Sequence, residues 1–225
     1  MRNKKIKKYF PTIIGILIAL LGVNAVFFLL NKIAPAHSLL TIMWESIGIE
    51  WGLTIIVLLI MTFFEKQPLS SIGIKKMKVA DIGWGVCGFI LGIATFTVTT
   101  PLLKAFHLDS TVPVIAKLAT LPISLRIFIV MTAGTCEEIL FRGYPIERLH
   151  DLTGNLSTSA IIPYAVFVGA HFWLWGLTGM IQIGVWTIVI TLLYVWRRNL
   201  PTCILMHILN DGFAFIALPL IFHHS

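Results

Sequence analysis

Charge is scarce in this sequence. Asp, Glu, Lys and Arg make up 12% of the 225 residues, where a soluble domain carries about 25%. Apolar residues make up 57% and the mean hydropathy is +0.91. Too little polar surface is left to face water, which excludes a soluble enzyme, a disordered chain and a nucleic-acid-binding domain. Acid is scarcer than base, 10 residues against 17, for a formal charge of +7. That excess does not point to nucleic acid, because the basic residues cluster in short gaps between apolar runs, the pattern that sets membrane topology. Cysteine is sparse: Cys87, Cys136 and Cys203 lie far apart in apolar stretches. With no CxxC spacing, neither a disulfide framework nor a cysteine metal site is expected, and all three read as buried thiols. Cys136 stands apart only because two carboxylates follow it. The serine-hydrolase motif GxSxG and the zinc motif HExxH are both missing, and there is no internal repeat or low-complexity linker.

What is there is a polytopic all-α membrane helix bundle. A spanning helix needs roughly 20 mostly apolar residues. Seven stretches are candidates: Phe10–Leu30, Ser46–Phe64, Ile82–Leu103, Ile123–Phe141, Ala160–Trp175, Thr178–Trp196 and Pro201–Phe222. The fifth is short, and Pro163 suits a helix's first turn. Ser110–Leu121, with Pro113 inside and Pro122 next to it, reads as a re-entrant or interfacial piece. The basic start MRNKKIKK resembles a signal peptide's leading segment. The apolar run behind it exceeds the roughly 7–15 residues of a cleaved signal, and the proline of Ala34-Pro35-Ala36 spoils a cleavage site, so an uncleaved anchor is expected. Of the seventeen Lys and Arg, four (Lys32, Lys104, Lys117 and Arg126) fall on one side of this topology and the other thirteen on the opposite side. The positive-inside rule then puts the N-terminus in the cytoplasm. Gly88 with Gly92, and Ala133 with Gly134, are small-residue patches suited to close helix packing.

Ionisable side chains inside membrane spans are costly and functional by default. Three clusters stand out. In Cys136-Glu137-Glu138-Ile139-Leu140-Phe141-Arg142, Glu138 and Arg142 are four apart and can pair on one helix face. Glu137 is rotated about 100° from Glu138 and lacks that partner. Phe167 and His171 share a face in the fifth stretch. His207 and Asp211 share a face in the last, with Asn210 close by. Each cluster has a structural explanation: an ion pair at a helix end, a packed histidine, a buried His–Asp pair. Together they put acids, imidazoles and an arginine on three apolar helices, which are expected to turn them inward towards one another.

Glu-Glu-x-x-x-Arg, Phe-x-x-x-His and His-x-x-x-Asn/Asp on successive membrane helices resemble the CPBP family of CAAX proteases and bacteriocin-processing or immunity proteins. Here they are Glu137-Glu138 with Arg142, Phe167 with His171, and His207 with Asp211, and the resemblance runs over roughly residues 120–215. It implies an intramembrane endopeptidase in which the first Glu is the base, acting on a peptide or membrane-protein substrate. In eukaryotic relatives it implies removal of the last three residues of a prenylated CAAX protein. Residues 1–109 then read as N-terminal membrane helices behind a basic cytoplasmic tail. Residues 110–225 read as the catalytic core of the same integrated bundle.

The residue set suits hydrolysis by an activated water. Glu137 and His171 can polarise the water, and His207 with Asp211 can stabilise the oxyanion. Asp211 would orient His207 or, if protonated, donate directly. Glu138, Arg142, Phe167 and Asn210 are expected to support them. No cofactor is needed for this chemistry. A divalent metal such as zinc on Glu137, His171 and His207 is the alternative, because the same ligand types serve both. A non-catalytic binding or immunity protein with the same fold is the alternative function.

Overall fold

The computed structural model describes residues 2–33, 38–108 and 111–222, and among them there is no strand. The chain folds as α1 (Arg2–Ile33), α2 (Leu39–Leu59), α3 (Val79–Ala105), α4 (Val112–Ala119), α5 (Ile123–Thr132), α6 (Tyr144–Thr153), α7 (Leu156–Ala170), α8 (Phe172–Arg197), α9 (Leu200–Gly212) and α10 (Leu218–Phe222). Four π-turns interrupt or extend these helices near their ends: Ile60–Phe64 after α2, Phe213–Ala217 after α9, and a pair, Ala133–Glu137 and Ile139–Gly143, between α5 and α6. The Ala34-Pro35-Ala36 segment lies outside the described residues.

Local chemistry sets the boundaries. Ser38 caps α2 by accepting the Thr41 amide at 3.1 Å, and Asn155 caps α7 by accepting the Thr158 amide at 3.0 Å. Each cap satisfies a donor that the first helical turn leaves open. Gly154 ends α6 in the left-handed region, φ 68°, where a glycine carries no Cβ penalty. Because α7 starts at Leu156, Pro163 sits inside the helix and not in its first turn.

Five helical stretches are long and apolar enough to cross a membrane: Tyr9–Ile33, Leu39–Phe64, Val79–Ala105, Phe172–Arg197 and Leu200–Ile221. The other two expected spans take a different form. The fourth continues from α5 through both π-turns into α6. The fifth ends at Ala170, not Trp175, and α7 has 15 residues. Phe172–Trp175 precede a break at Gly176 (φ 64°, ψ −170°), after which α8 runs on. The Ser110–Leu121 piece forms the short helix α4, whose Leu118 joins Met43, Leu121 and Leu125 in a small core between α2 and α5.

The main core gathers Leu20, Val57, Met61, Leu140, Tyr144, Phe167, Trp186, Ile190 and Met206 from six helices and two of the π-turns. Large apolar side chains also cover the outside, Phe10, Leu17, Phe28, Ile90, Val98, Leu192 and Trp196 among them. A contiguous apolar exterior is what lipid requires and water rejects. Cys87 belongs to that exterior and is exposed, a correction to the expectation that all three thiols are buried; Cys136 and Cys203 are buried. Glycines let α3 lie close to its neighbours. A Cβ at Gly88 would stand 2.6 Å from Met206 Sδ, and one at Gly92 2.5 Å from Asn210 Oδ1.

One end of the bundle is tied by charge. Arg148 meets Glu65 at 2.6 Å and Ser71 at 2.8 Å, and Tyr144 donates to Glu65 at 2.7 Å. Arg198 pairs with Glu147, which also accepts from Tyr194 at 2.8 Å. Arg197 meets Asp81 at 2.7 Å. Basic residues that are distant in sequence, and that the charge count puts on one side, thus meet at one level of the fold.

Candidate active site

Three elements build the site: the paired π-turns between α5 and α6, the end of α7, and the middle of α9. A π-turn adds a residue to the helical repeat and loosens it locally. Glu137 closes the first π-turn and Glu138 lies between the two. An intact α-helix would hold them about 100° apart. Here both reach one imidazole. His207 Nδ1 lies 2.8 Å from Glu138 Oε1, while Nε2 lies 3.8 Å from Glu137 Oε2 and 3.5 Å from Asp211 Oδ2. Gly134 makes room for this approach, since a Cβ there would come within 2.5 Å of Ile208 Cγ1.

A carboxylate only accepts, so the Nδ1 proton of His207 points at Glu138, and Nε2 is the nitrogen presented to the other two acids. Arg142 Nη1 donates to the same Glu138 oxygen at 2.9 Å. The expected Glu138–Arg142 pair forms, and the same Glu138 oxygen also holds His207. Asp211 correspondingly faces Nε2, not the nitrogen that orients the ring. Burial sorts the roles. The Glu138 and His207 side chains are 0% and 4% exposed, whereas Glu137 and Asp211 keep 18% and 20%. Only the latter pair is open to an incoming reactant.

His171 caps the C-terminal end of α7. Its Nδ1 lies 2.7 Å from the Phe167 carbonyl oxygen. A carbonyl only accepts, so Nδ1 carries the hydrogen and a neutral ring leaves the Nε2 lone pair free. The four-residue spacing from Phe to His is the spacing this bond needs. Arg142, His207 and Asp211 are all near enough to act electrostatically on His171. The Phe167 ring fills the space between. It stacks under the Arg142 guanidinium at 4.0 Å and beside the His171 ring at 4.4 Å, a cation–π contact at a desolvated site.

Asn210 is the expected residue that the fold takes elsewhere. Its amide donates to the Met206 carbonyl at 2.9 Å and lies against Gly92 of α3, so it packs helices and does not reach the imidazole. Two residues outside the motifs join the site. Trp186 of α8 sets its ring edge-on to His207 at 4.8 Å. Glu50 of α2 is close enough to act electrostatically on Glu137, and His207 and Asp211 act on it in turn. An acid inside an expected span was a signal for Glu50, though no spacing rule linked it to the others. Among the described residues, no group of three or more His, Cys, Asp or Glu side chains is arranged to hold a metal ion.

Residues 119–213 match the family of Rce1-like proteins, described as type II CAAX prenyl endopeptidase Rce1-like. The stretch contains Glu137, Glu138, Arg142, Phe167, His171, His207 and Asp211, in agreement with the resemblance carried by the three motifs. The match covers less than half of the chain. No curated protein and no solved structure matches the chain.

Proposed function

We propose that the chain is an intramembrane endopeptidase that hydrolyses a peptide bond with a water activated by Glu137 and His171, without a resident metal. The observation that carries this reading is the asymmetry of His207: Nδ1 is held by sealed Glu138, and Nε2 faces the partly open Glu137 and Asp211. Water bound near Glu137 gives one proton to that carboxylate while the free Nε2 lone pair of His171 accepts a hydrogen bond from the hydrogen that stays on the oxygen. The hydroxide adds to the scissile carbonyl. The oxyanion that forms is met by the Nε2 proton of His207, whose ring Glu138 fixes and whose positive charge Asp211 and Glu138 stabilise. Glu137 then returns its proton to the leaving nitrogen, and the C–N bond breaks. Arg142 balances the Glu138 charge and leaves it free to hold the ring.

The substrate class that suits the family match is a prenylated CAAX peptide, and the N-terminus is assigned to the cytoplasm by the charge count. The match to an endopeptidase supports turnover and lends nothing to the non-catalytic immunity alternative. The test is cleavage of a fluorogenic prenylated peptide by purified chain in proteoliposomes, beside its unprenylated counterpart. Wild type should cut, and Glu137→Gln should be inactive yet folded. Full activity in Glu137→Gln would remove it as the base. Activity should survive dialysis against a chelator; loss reversed by zinc would instead support Glu137, His171 and His207 as ligands. An inert wild type would remove the enzymatic reading.

A further inference from the structure

Helices α3 and α8 run antiparallel, side by side. Asp81, at the start of α3, meets Arg197, at the end of α8, at 2.7 Å. Thr100, near the end of α3, accepts from Gln182 Nε2, in the first half of α8, at 2.8 Å. At the basic end of this pair, Lys75, Lys76, Lys78, Asp81, Arg197 and Asn199 line a pocket of about 290 Å³. Four cations there face one carboxylate, and that carboxylate is already held by Arg197 and by Asn199 Nδ2 at 3.3 Å. The three lysines are exposed, and none has an ion-pair partner among the described residues. The pocket is therefore electropositive, with three ammonium groups unspent.

Deeper along the same pair, an open groove of about 340 Å³ runs between Leu91, Thr95, Val98 and Thr99 of α3 and Val185 and Val189 of α8, with Ala94 at its floor. Both threonines donate to carbonyls of their own helix, Thr95 to Gly92 and Thr99 to Thr95, each at 2.7 Å. The groove is left with hydrocarbon to offer. A step of seven residues returns a helix to nearly the same face. Trp84, Leu91 and Val98 thus form one stripe on α3, and Val189 and Trp196 one on α8. Trp84 and Trp196 are exposed and meet edge to face at 4.6 Å. In both helices they lie between the pocket and the groove, and tryptophan favours the boundary between lipid and water. At 1.5 Å per residue, Leu91 lies about 15 Å beyond Asp81 and Val189 about 12 Å before Arg197. One leaflet with its headgroups is roughly 20–22 Å thick. Basic pocket, tryptophan pair and apolar groove therefore follow the order and the depth of a lipid's head, backbone and acyl chain.

We infer that the α3–α8 seam binds an anionic phospholipid of the bilayer, with its phosphate among Lys75, Lys76, Lys78 and Arg197 and one acyl chain laid in the groove. Charge selects the head: cations around a pocket whose one lining carboxylate is paired favour an anionic headgroup over a zwitterionic one. A free phosphate would leave the groove bare, and a neutral apolar molecule would leave the pocket bare. The groove residues Leu91 and Val98 are exposed on the outside of the bundle. The site needs no turnover and stands independently of the hydrolytic reading.

The experiment uses full-length chain in mixed micelles, with bound lipid counted by native mass spectrometry and thermal unfolding followed beside it. Dioleoyl phosphatidylglycerol should be retained and should raise the unfolding temperature; dioleoyl phosphatidylcholine at the same concentration should do neither. Equal retention of the two would overturn the inference. Lys75→Gln, Lys76→Gln and Lys78→Gln combined should weaken phosphatidylglycerol by on the order of 10²-fold, the attraction that three cations supply to an anionic lipid. Unchanged affinity in that variant would overturn it as well. Lys66→Gln, exposed at the same end but outside the pocket, should bind as wild type does; a loss equal to that of Lys76→Gln alone would reduce the site to diffuse surface charge. Ala94→Phe fills the groove. It should weaken the dioleoyl lipid by about tenfold, the worth of two or so buried methylenes, and leave dihexanoyl phosphatidylglycerol, whose tails stop short of the groove, unchanged. Wild-type affinity for the dioleoyl lipid in Ala94→Phe would remove the acyl chain from the groove and overturn the inference. Inorganic phosphate raising the unfolding temperature as much as the lipid does would make this a free-phosphate site. Retention of the prenylated peptide in the groove, with phosphatidylglycerol not retained, would assign the seam to substrate; either result sinks the lipid. Because lipid is counted without turnover, an inert wild type removes the hydrolytic reading alone.

Discussion

Glu138 is the most connected side chain of the site. One of its oxygens serves Arg142 and His207 together, at 2.9 and 2.8 Å. The two glutamates should therefore differ on mutation. Glu137→Gln should keep size and folding and remove the proposed base. Glu138→Gln strands a buried arginine and releases His207, and breaking a buried pair costs about 3–5 kcal/mol. It should lose activity and also unfold at lower temperature in detergent. Adding Arg142→Gln should recover part of the stability and none of the activity, because His207 stays unanchored. Recovery of activity in that double variant would show that the Glu138–His207 bond does not matter. Phe167→Leu is a milder case. It keeps the carbonyl that holds His171 but removes the ring 4.0 Å from Arg142. A stability loss of about 2 kcal/mol, the scale of a desolvated cation–π contact, should accompany a modest fall in kcat.

At the scale of elements, close approach of helices does the positioning. α9 carries His207 and Asp211, and it is pressed on one side by α3 through Gly88 and Gly92 and on the other by the π-turn through Gly134. Each glycine faces a side-chain atom within 2.6 Å of where a Cβ would stand. Gly134→Val should push Ile208 away and separate the carboxylates from the imidazole, so activity should fall more steeply than thermal stability. Gly92→Val meets Asn210, which packs α9 against α3, and Trp186, whose ring borders His207 but carries no reacting group. Its effect should appear mainly as a lower unfolding temperature, with residual activity in the folded fraction. The two measurements on each variant separate packing from positioning.

At the scale of the whole molecule, the charged end of the bundle ties its loops together. Arg148 and Glu65 are 4% and 6% exposed and come from segments far apart in sequence. Arg148→Met leaves Glu65 buried with only Tyr144, and a loss of about 3–5 kcal/mol is expected, read as lower yield and earlier thermal unfolding. Cysteine-accessibility labelling at Lys5, Lys76 and Arg198 should find all three on the cytoplasmic side. Labelling of Lys76 from outside would overturn the orientation and with it the side from which substrate enters.

The sequence by itself determined the apolar helical class, the helix-to-helix small-residue contacts and the candidate reactive groups. These depend on composition and on spacings of three and four residues, which a regular helix converts directly into shared faces. Phe167 with His171 and Glu138 with Arg142 were legible for that reason. Glu137 was legible as an acid without a partner, but not as a neighbour of the same ring as Glu138, because a regular helix turns them apart. Only the tertiary structure decided that. The π-turns loosen the helix locally, and α9 arrives close enough through Gly134 to place one imidazole between both carboxylates. Tertiary packing also took Asn210 out of the site and brought Glu50 and Trp186 to it from α2 and α8. Such arrivals come from helices more than 20 residues distant in sequence, and the physical reason they escape a linear reading is that no local periodicity relates one helix's rotation to another's. Packing sets it, through the shapes of the facing side chains.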